Sequence, residues 1–364
     1  MLFIDSTHPD MQFALNEHYK YVRCYVWKKL DAKDAGGAIK KCLDPGCPIC
    51  TKNNIDPYPN IPIDIYKYLN DDTLLELLIC GTPEEISAIN LYFWELIFPG
   101  LEYHSCIEIV NKKHDQLKND ERLFYPVIKS KIDALTKIFN YKGWFDANKP
   151  SGYYSAYHLA TYLNLRSCVY CNRTYTLTQF KTEDGAKIGK LLRPQFDHWF
   201  PQEHFPLLAL SFFNLVPSCS ICNSSVKGRK KFSLSDYIHP YVDNITDSIL
   251  FSFTYRESID SVKVELTALN DDATLQKRID NTLQDFHLEE MYNAHEPELL
   301  DLIKLKQAYS DNYLKTLRNA FPGIKLTDNE MYRLAFGVEL DPKNFQKRPF
   351  SKFKYDILRE LKVI

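Results

Sequence analysis

Ten cysteines lie at positions 24, 42, 47, 50, 80, 106, 168, 171, 219 and 222. Their spacing is the first sign of chemistry. Cys168-Val-Tyr-Cys171 and Cys219-Ser-Ile-Cys222 are two Cys-x-x-Cys pairs. Two thiolates three positions apart grip one face of a tetrahedral ion, and two such pairs close a four-sulfur shell with no open position. These four are therefore expected to hold a structural Zn²⁺. A redox reading of one pair would need a thioredoxin-like strand–helix–strand setting, which the flanking sequence lacks. A weaker group is Cys42-Leu-Asp-Pro-Gly-Cys47-Pro-Ile-Cys50. With Cys24, or a histidine such as His18, it would make a second zinc site; the alternative is free thiols in a loop.

The two pairs bracket a second kind of chemistry, in Gln195-Phe-Asp197-His198-Trp-Phe-Pro201. Phosphodiester hydrolysis needs a base for water and a cation for the developing charge. His198 suits the base, because an imidazole titrates near neutrality. Adjacent side chains on extended backbone face opposite ways, so Asp197 is free to reach a cation while His198 faces water. Asn223, directly after Cys222, adds a second hard oxygen, and such a pair suits catalytic Mg²⁺ (or Mn²⁺). Asn214 is read as holding the loop or the imidazole in place. From Lys181 to Lys231 eight Lys/Arg face four acids, leaving +4 in a chain of net charge -2. Lys227, Arg229 and Lys230 are the phosphate-contact candidates of that basic stretch. His204 and His239, each beside or near proline, are read as loop residues.

Asp-His-x-x-Pro, followed by Asn-Leu-x-Pro-Ser-Cys-x-x-Cys-Asn-x-x-x-Lys-Gly, resembles the HNH (ββα-metal) endonuclease family in its four-cysteine form. The likeness covers about 168 to 230. It implies His198 as general base, Asn214 as the orienting amide, Asp197 and Asn223 as metal ligands, and Lys227 near phosphate. Asn223 stands where the family name has its last histidine, which bears on metal preference. A looser likeness continues through Ile238-His239-Pro240-Tyr241, the segment 251–266 and Lys347-Arg348-Pro349. That part is similar to HNH proteins of bacterial anti-phage loci, such as the Septu nuclease subunit, and implies DNA as substrate and an ABC/SMC-type ATPase as partner. The competing expectation is a catalytically inactive zinc scaffold that binds nucleic acid or protein.

The elements that must position these residues follow from local signals. Residues 1–148 read as a mostly helical region with a regulatory or docking role. Asp71 caps a helix to Cys80, and Thr82-Pro83-Glu84-Glu85 opens another. A Pro/Gly break at 148–152 suggests a boundary, with a nuclease-like domain over 149–245. Within it, Thr174–Phe180 and Leu191–Phe196 are expected to pair across the turn-rich stretch between them. Ser218–Lys230 is read as a knuckle leading into a helix. Over 246–364, Phe251–Tyr255 and Val262–Leu266 alternate as a hairpin. Helices follow near 272–286, from Pro297 with Leu300, Ile303, Tyr313, Leu314 and Leu317 at helical spacing, from Thr327-x-x-Glu330 to Gly337, and near 351–361. The fold class expected is α+β: a small zinc-stapled ββα core flanked by helical regions. With 45% apolar and 25% charged residues the composition is globular, and the absence of a basic-then-apolar leader or a run of about 18 apolar residues points to a soluble, cytoplasmic protein without a membrane role.

Overall fold

The computed structural model describes residues 1–51, 55–146, 154–256, 261–308 and 326–364, together with positions 316 and 319. The N-terminal part is helical: α1 (Pro9–Leu30), α2 (Pro48–Thr51), α3 (Ile63–Leu69), α4 (Asp72–Cys80), α5 (Pro83–Ile97), α6 (Tyr103–Asn111), α7 (Asn119–Ile138) and α8 (Ala156–Leu163). The caps are those that the sequence signals. The Asp71 carboxylate accepts from Leu74 N, and Thr82 and Glu85 satisfy each other's backbone N–H groups at the head of α5. The break at 148–152 lies outside the described residues, as do Tyr313, Leu314 and Leu317.

Among the described residues three antiparallel two-stranded sheets follow. β1 (Gln179–Glu183) pairs with β2 (Ala186–Leu192). This hairpin sits further into the polar stretch than the alternation in 174–196 suggests. Asp184 and Gly185 both take positive φ, at 48° and 77°, and make a two-residue turn that lets the strands run almost to its ends. Pro194, which has no N–H to give a ladder, separates the second strand from residues 195–196. Those residues instead belong to β3 (Gln195–His198), which pairs with β4 (Leu215–Ser218); Asp197 lies opposite Val216 and His198 opposite Leu215. A π-helical segment, Ile221–Lys227, leaves β4 and ends at Gly228. Thus the two-strand, one-helix unit is built from β3, β4 and this segment.

β5 (Ile249–Tyr255) and β6 (Val262–Ala268) form the third sheet, with Phe251 opposite Leu266 and Phe253 opposite Val264. Around it stand α9 (Ala273–Asp285), α10 (Leu288–Asn293), α11 (Glu296–Ala308), α12 (Asp328–Phe336) and α13 (Ser351–Glu360). The architecture is therefore mixed: helices with small sheets. One apolar core joins α1, α4, α5 and α7 to α8, β3, β4 and the Phe205–Phe213 stretch, all of whose apolar side chains are buried. A second core lies between β5, β6, α11, α12 and α13. The two meet at the first Cys-x-x-Cys pair. Asn172, in left-handed backbone just after Cys171, donates to Phe345 O at 3.1 Å and to Arg348 O at 3.2 Å, and Tyr292 Oη donates to Cys171 O at 2.7 Å. No described helix is long and apolar enough to cross a membrane.

Candidate functional site

The two Cys-x-x-Cys pairs converge. Cys168 and Cys171 lie on the loop before β1, and Cys219 and Cys222 bridge the end of β4 and the π-helical segment. All four are buried, and their Sγ atoms lie within 4.8 Å of one another. Backbone N–H groups already point at the sulfurs: Cys219 N to Cys168 Sγ at 3.3 Å, Cys222 N to Cys219 Sγ and Arg173 N to Cys171 Sγ, each at 3.5 Å. Such donors stabilise thiolate charge, and a tetrahedral zinc about 2.3 Å from each sulfur fits the cluster. Four buried sulfurs converging on one point are the chemistry of a closed, structural site. Cys24, Cys42, Cys47 and Cys50 form a second four-sulfur cluster within the same 4.8 Å span, with Cys24 completing the set.

Asp197 sits where the two knuckles meet. Tyr170, inside the first Cys-x-x-Cys, donates its hydroxyl to Asp197 Oδ2 at 2.5 Å. Lys227, at the end of the π-helical segment, places Nζ 3.0 Å from Asp197 Oδ1 and 2.6 Å from the carbonyl of His198. Both members of this ion pair are buried: the side chains are 1% and 3% exposed. Burial pushes the Lys227 ammonium below its usual range while Asp197 holds it up, and burial followed by the Asp197 charge lifts the Tyr170 hydroxyl well above 10, so it stays a donor. This bears on the sequence expectation at two positions. Lys227 is turned inward to Asp197, not outward to phosphate. Asp197 takes one hydrogen bond on each carboxylate oxygen, so a divalent cation held there would sit beside the Lys227 ammonium.

His198 faces the other side of β3. Its Nε2 lies 3.0 Å from Ala209 O, and the ring meets Tyr141 edge-on with centroids 4.5 Å apart. A carbonyl only accepts, so Nε2 carries the hydrogen and Nδ1 keeps the lone pair. Burial pushes the imidazole down to about 4, which keeps it neutral at neutral pH and lowers its affinity for a proton. Asn214 makes the partner loop rigid. It is fully buried, its Oδ1 accepts from Phe200 N at 2.6 Å, and its Nδ2 donates to Leu208 O at 2.9 Å, one residue before the carbonyl that holds His198. Asn214 thus fixes the loop that orients the ring.

Asn223 is half-buried on the helical segment; its Nδ2 donates to Gln195 Oε1 at 2.8 Å, and Ser224 Oγ reaches the same oxygen at 3.2 Å. Gln195 and Asp197 share one face of β3, so Asn223 lies on the Asp197 side and His198 on the opposite one. Arg229 is exposed beside Glu203, with Nε 3.4 Å from Oε1, and Lys230 reaches Asp285 at 3.0 Å. His204 stays in a surface loop, whereas His239 is core: it packs on Trp199 at 4.6 Å between centroids, and burial pushes it down to about 3. The residues that sequence reasoning passes over are Tyr170, Gln195, Tyr141 and Ala209. Tyr170 is visible as the polar member of Cys-Val-Tyr-Cys; a backbone carbonyl leaves no trace in a sequence. No family model, curated protein or solved structure matches the chain.

Proposed function

We propose that the chain is an endonuclease of the HNH (ββα-metal) type that hydrolyses phosphodiester bonds of DNA with His198 as general base. The observation that carries this reading is the 3.0 Å contact of His198 Nε2 with Ala209 O: a carbonyl only accepts, so Nε2 carries the hydrogen and Nδ1 keeps the lone pair that would take a proton from water. In the step, Nδ1 takes a proton from water, the water oxygen forms a bond to phosphorus, and the ester oxygen leaves and takes up a proton from solvent. Asn214 acts as a positioning residue through the 208–209 loop. Arg229 and Lys230, just beyond the π-helical segment, are the cations offered to phosphate, beside Glu203 and Asp285. The resemblance to anti-phage HNH proteins adds a bacterial defence role, a cytoplasmic setting and an ABC/SMC-type ATPase partner. Mg²⁺ or Mn²⁺ belongs to the reading through that resemblance, with Asp197 and Asn223 as the residues that would hold it. Nicking of supercoiled plasmid, with Mg²⁺ or Mn²⁺ and in chelator, tests it. Cutting by the parent that disappears in His198→Ala, with DNA binding kept, is the expected result.

A second reading is favoured by the buried Asp197–Lys227 pair. An aspartate neutralised by an internal ammonium needs no divalent ion, and the unit then serves as a zinc-held scaffold that binds nucleic acid or protein. Failure of the parent to cut under any divalent metal, alone or with the ATPase, together with retained binding, selects this reading.

A further inference from the structure

The N-terminal thiol cluster differs from the Cys168 cluster in its surroundings, not in its geometry. Cys24 comes from the buried face of α1, Cys42 from the loop after it, and Cys47 and Cys50 from the entry and body of α2. Three separate stretches bring sulfur to one point. The loop is fastened for the purpose. Asp44 pairs with Lys20 of α1 at 2.8 Å, accepts from Gly46 N at 2.8 Å through its side chain, and accepts from Cys47 N through its carbonyl at 3.1 Å. Cys24 and Cys47 are wholly buried, but Cys42 and Cys50 are partly exposed, and their sulfurs lie 3.5 Å apart. In the Cys168 cluster every thiol is buried, none more than 7% exposed.

We infer that Cys24, Cys42, Cys47 and Cys50 form a second zinc site, and that it is the oxidation-labile one: peroxide joins Cys42 to Cys50 and frees that zinc while the other stays bound. Thiol oxidation is selected by exposure of the thiolate, and of the two clusters this one presents it to solvent. The Cys42 thiolate attacks a peroxide oxygen. The O–O bond breaks, Cys42 becomes a sulfenic acid, and hydroxide leaves as water on protonation. The Cys50 thiolate then attacks the Cys42 sulfur, the S–S bond forms, and a second hydroxide leaves as water. Two thiolates lose two electrons, and peroxide with two protons becomes two waters. Zinc is left with Cys24 and Cys47 alone, too few ligands to hold it in place of water. The loop carrying Asp44 then loses its metal tie to α1. The inference is independent of any activity at His198.

Metal analysis of the full chain, followed by peroxide titration with a chromogenic zinc chelator, tests it. The parent is expected to carry two zinc ions and Cys42→Ser/Cys50→Ser one. Limited peroxide should release one zinc from the parent, with a Cys42–Cys50 linked peptide found by mass spectrometry. Cys42→His, which keeps a ligand and removes the disulfide partner, should retain two and resist release. Equal zinc content in parent and double variant overturns the site. First release accompanied by oxidation of Cys219 or Cys222, or undiminished release from Cys42→His, overturns the order of lability.

Discussion

Asp197 and His198 are neighbours that face opposite ways, and each supports its own experiment. His198→Ala removes the base, so nicking should fall by about 10²- to 10⁴-fold; because it also leaves Ala209 O without its donor, the rates are compared below the variant's own thermal midpoint. An equal rate in the variant would leave the ring without a role in the chemistry. Lys227→Met tests stability instead. It strands the buried Asp197 carboxylate, with Tyr170 as its remaining donor, and should destabilise the fold by about 3–5 kcal/mol. Adding Asp197→Asn should return much of that loss, which urea titration of the four members of the cycle will read. Four equal midpoints would mean that the pair contributes nothing.

At the scale of elements, terminal signals carry most of what the sequence makes legible. Gly337 closes α12 at φ 70°, so Gly337→Ala should cost about 1 kcal/mol; Thr82→Ala, which breaks the capping box of α5, should cost a similar amount. Thermal midpoints lowered by a few degrees are the expected readout, and unchanged midpoints would contradict the cap geometry. These helices, the β5–β6 hairpin and the two Cys-x-x-Cys pairs are readable because their determinants sit within a few residues of one another. The β1–β2 register is not, because composition marks Lys181–Glu183 as turn, whereas the two left-handed residues Asp184 and Gly185 do the turning alone. Pairing of β3 with β4 is hidden for another reason: Phe205 to Phe213 intervenes, and no local rule states which distant strand a four-residue strand will choose. At the site, residue types are legible and their partners are not. Asp197 and Lys227 look like a metal ligand and a phosphate contact by type, yet they neutralise each other once the helix is docked.

Across the whole molecule, buried imidazoles link stability to pH. His18, between Tyr154 Oη and Leu210 O, is pushed down to about 4 by burial, and His239 to about 3. Their ordinary value is 6.5, so the unfolded chain takes up protons that the folded one refuses. Their contribution is complete above about pH 6.5 and is lost as pH falls toward 4 and then 3, since each tenfold loss of proton affinity on folding is worth about 1.4 kcal/mol. Urea midpoints measured with zinc in excess should drop between about pH 7.5 and about pH 5, and His18→Phe should flatten that slope. A parent midpoint indifferent to pH over this range would refute the linkage. Sequence distance adds a kinetic side to the same contacts. Leu2 N bonds to Val169 O at 2.7 Å, Ile4 N to Pro240 O at 2.9 Å, and His18 reaches a carbonyl 192 residues further on. A ribosome making about 5–20 residues per second delivers those acceptors many seconds after their donors have emerged. Leu2, Ile4 and His18 thus settle only once segments far along the chain have been made, and α1 must wait in the cell for the cysteine knuckles to arrive.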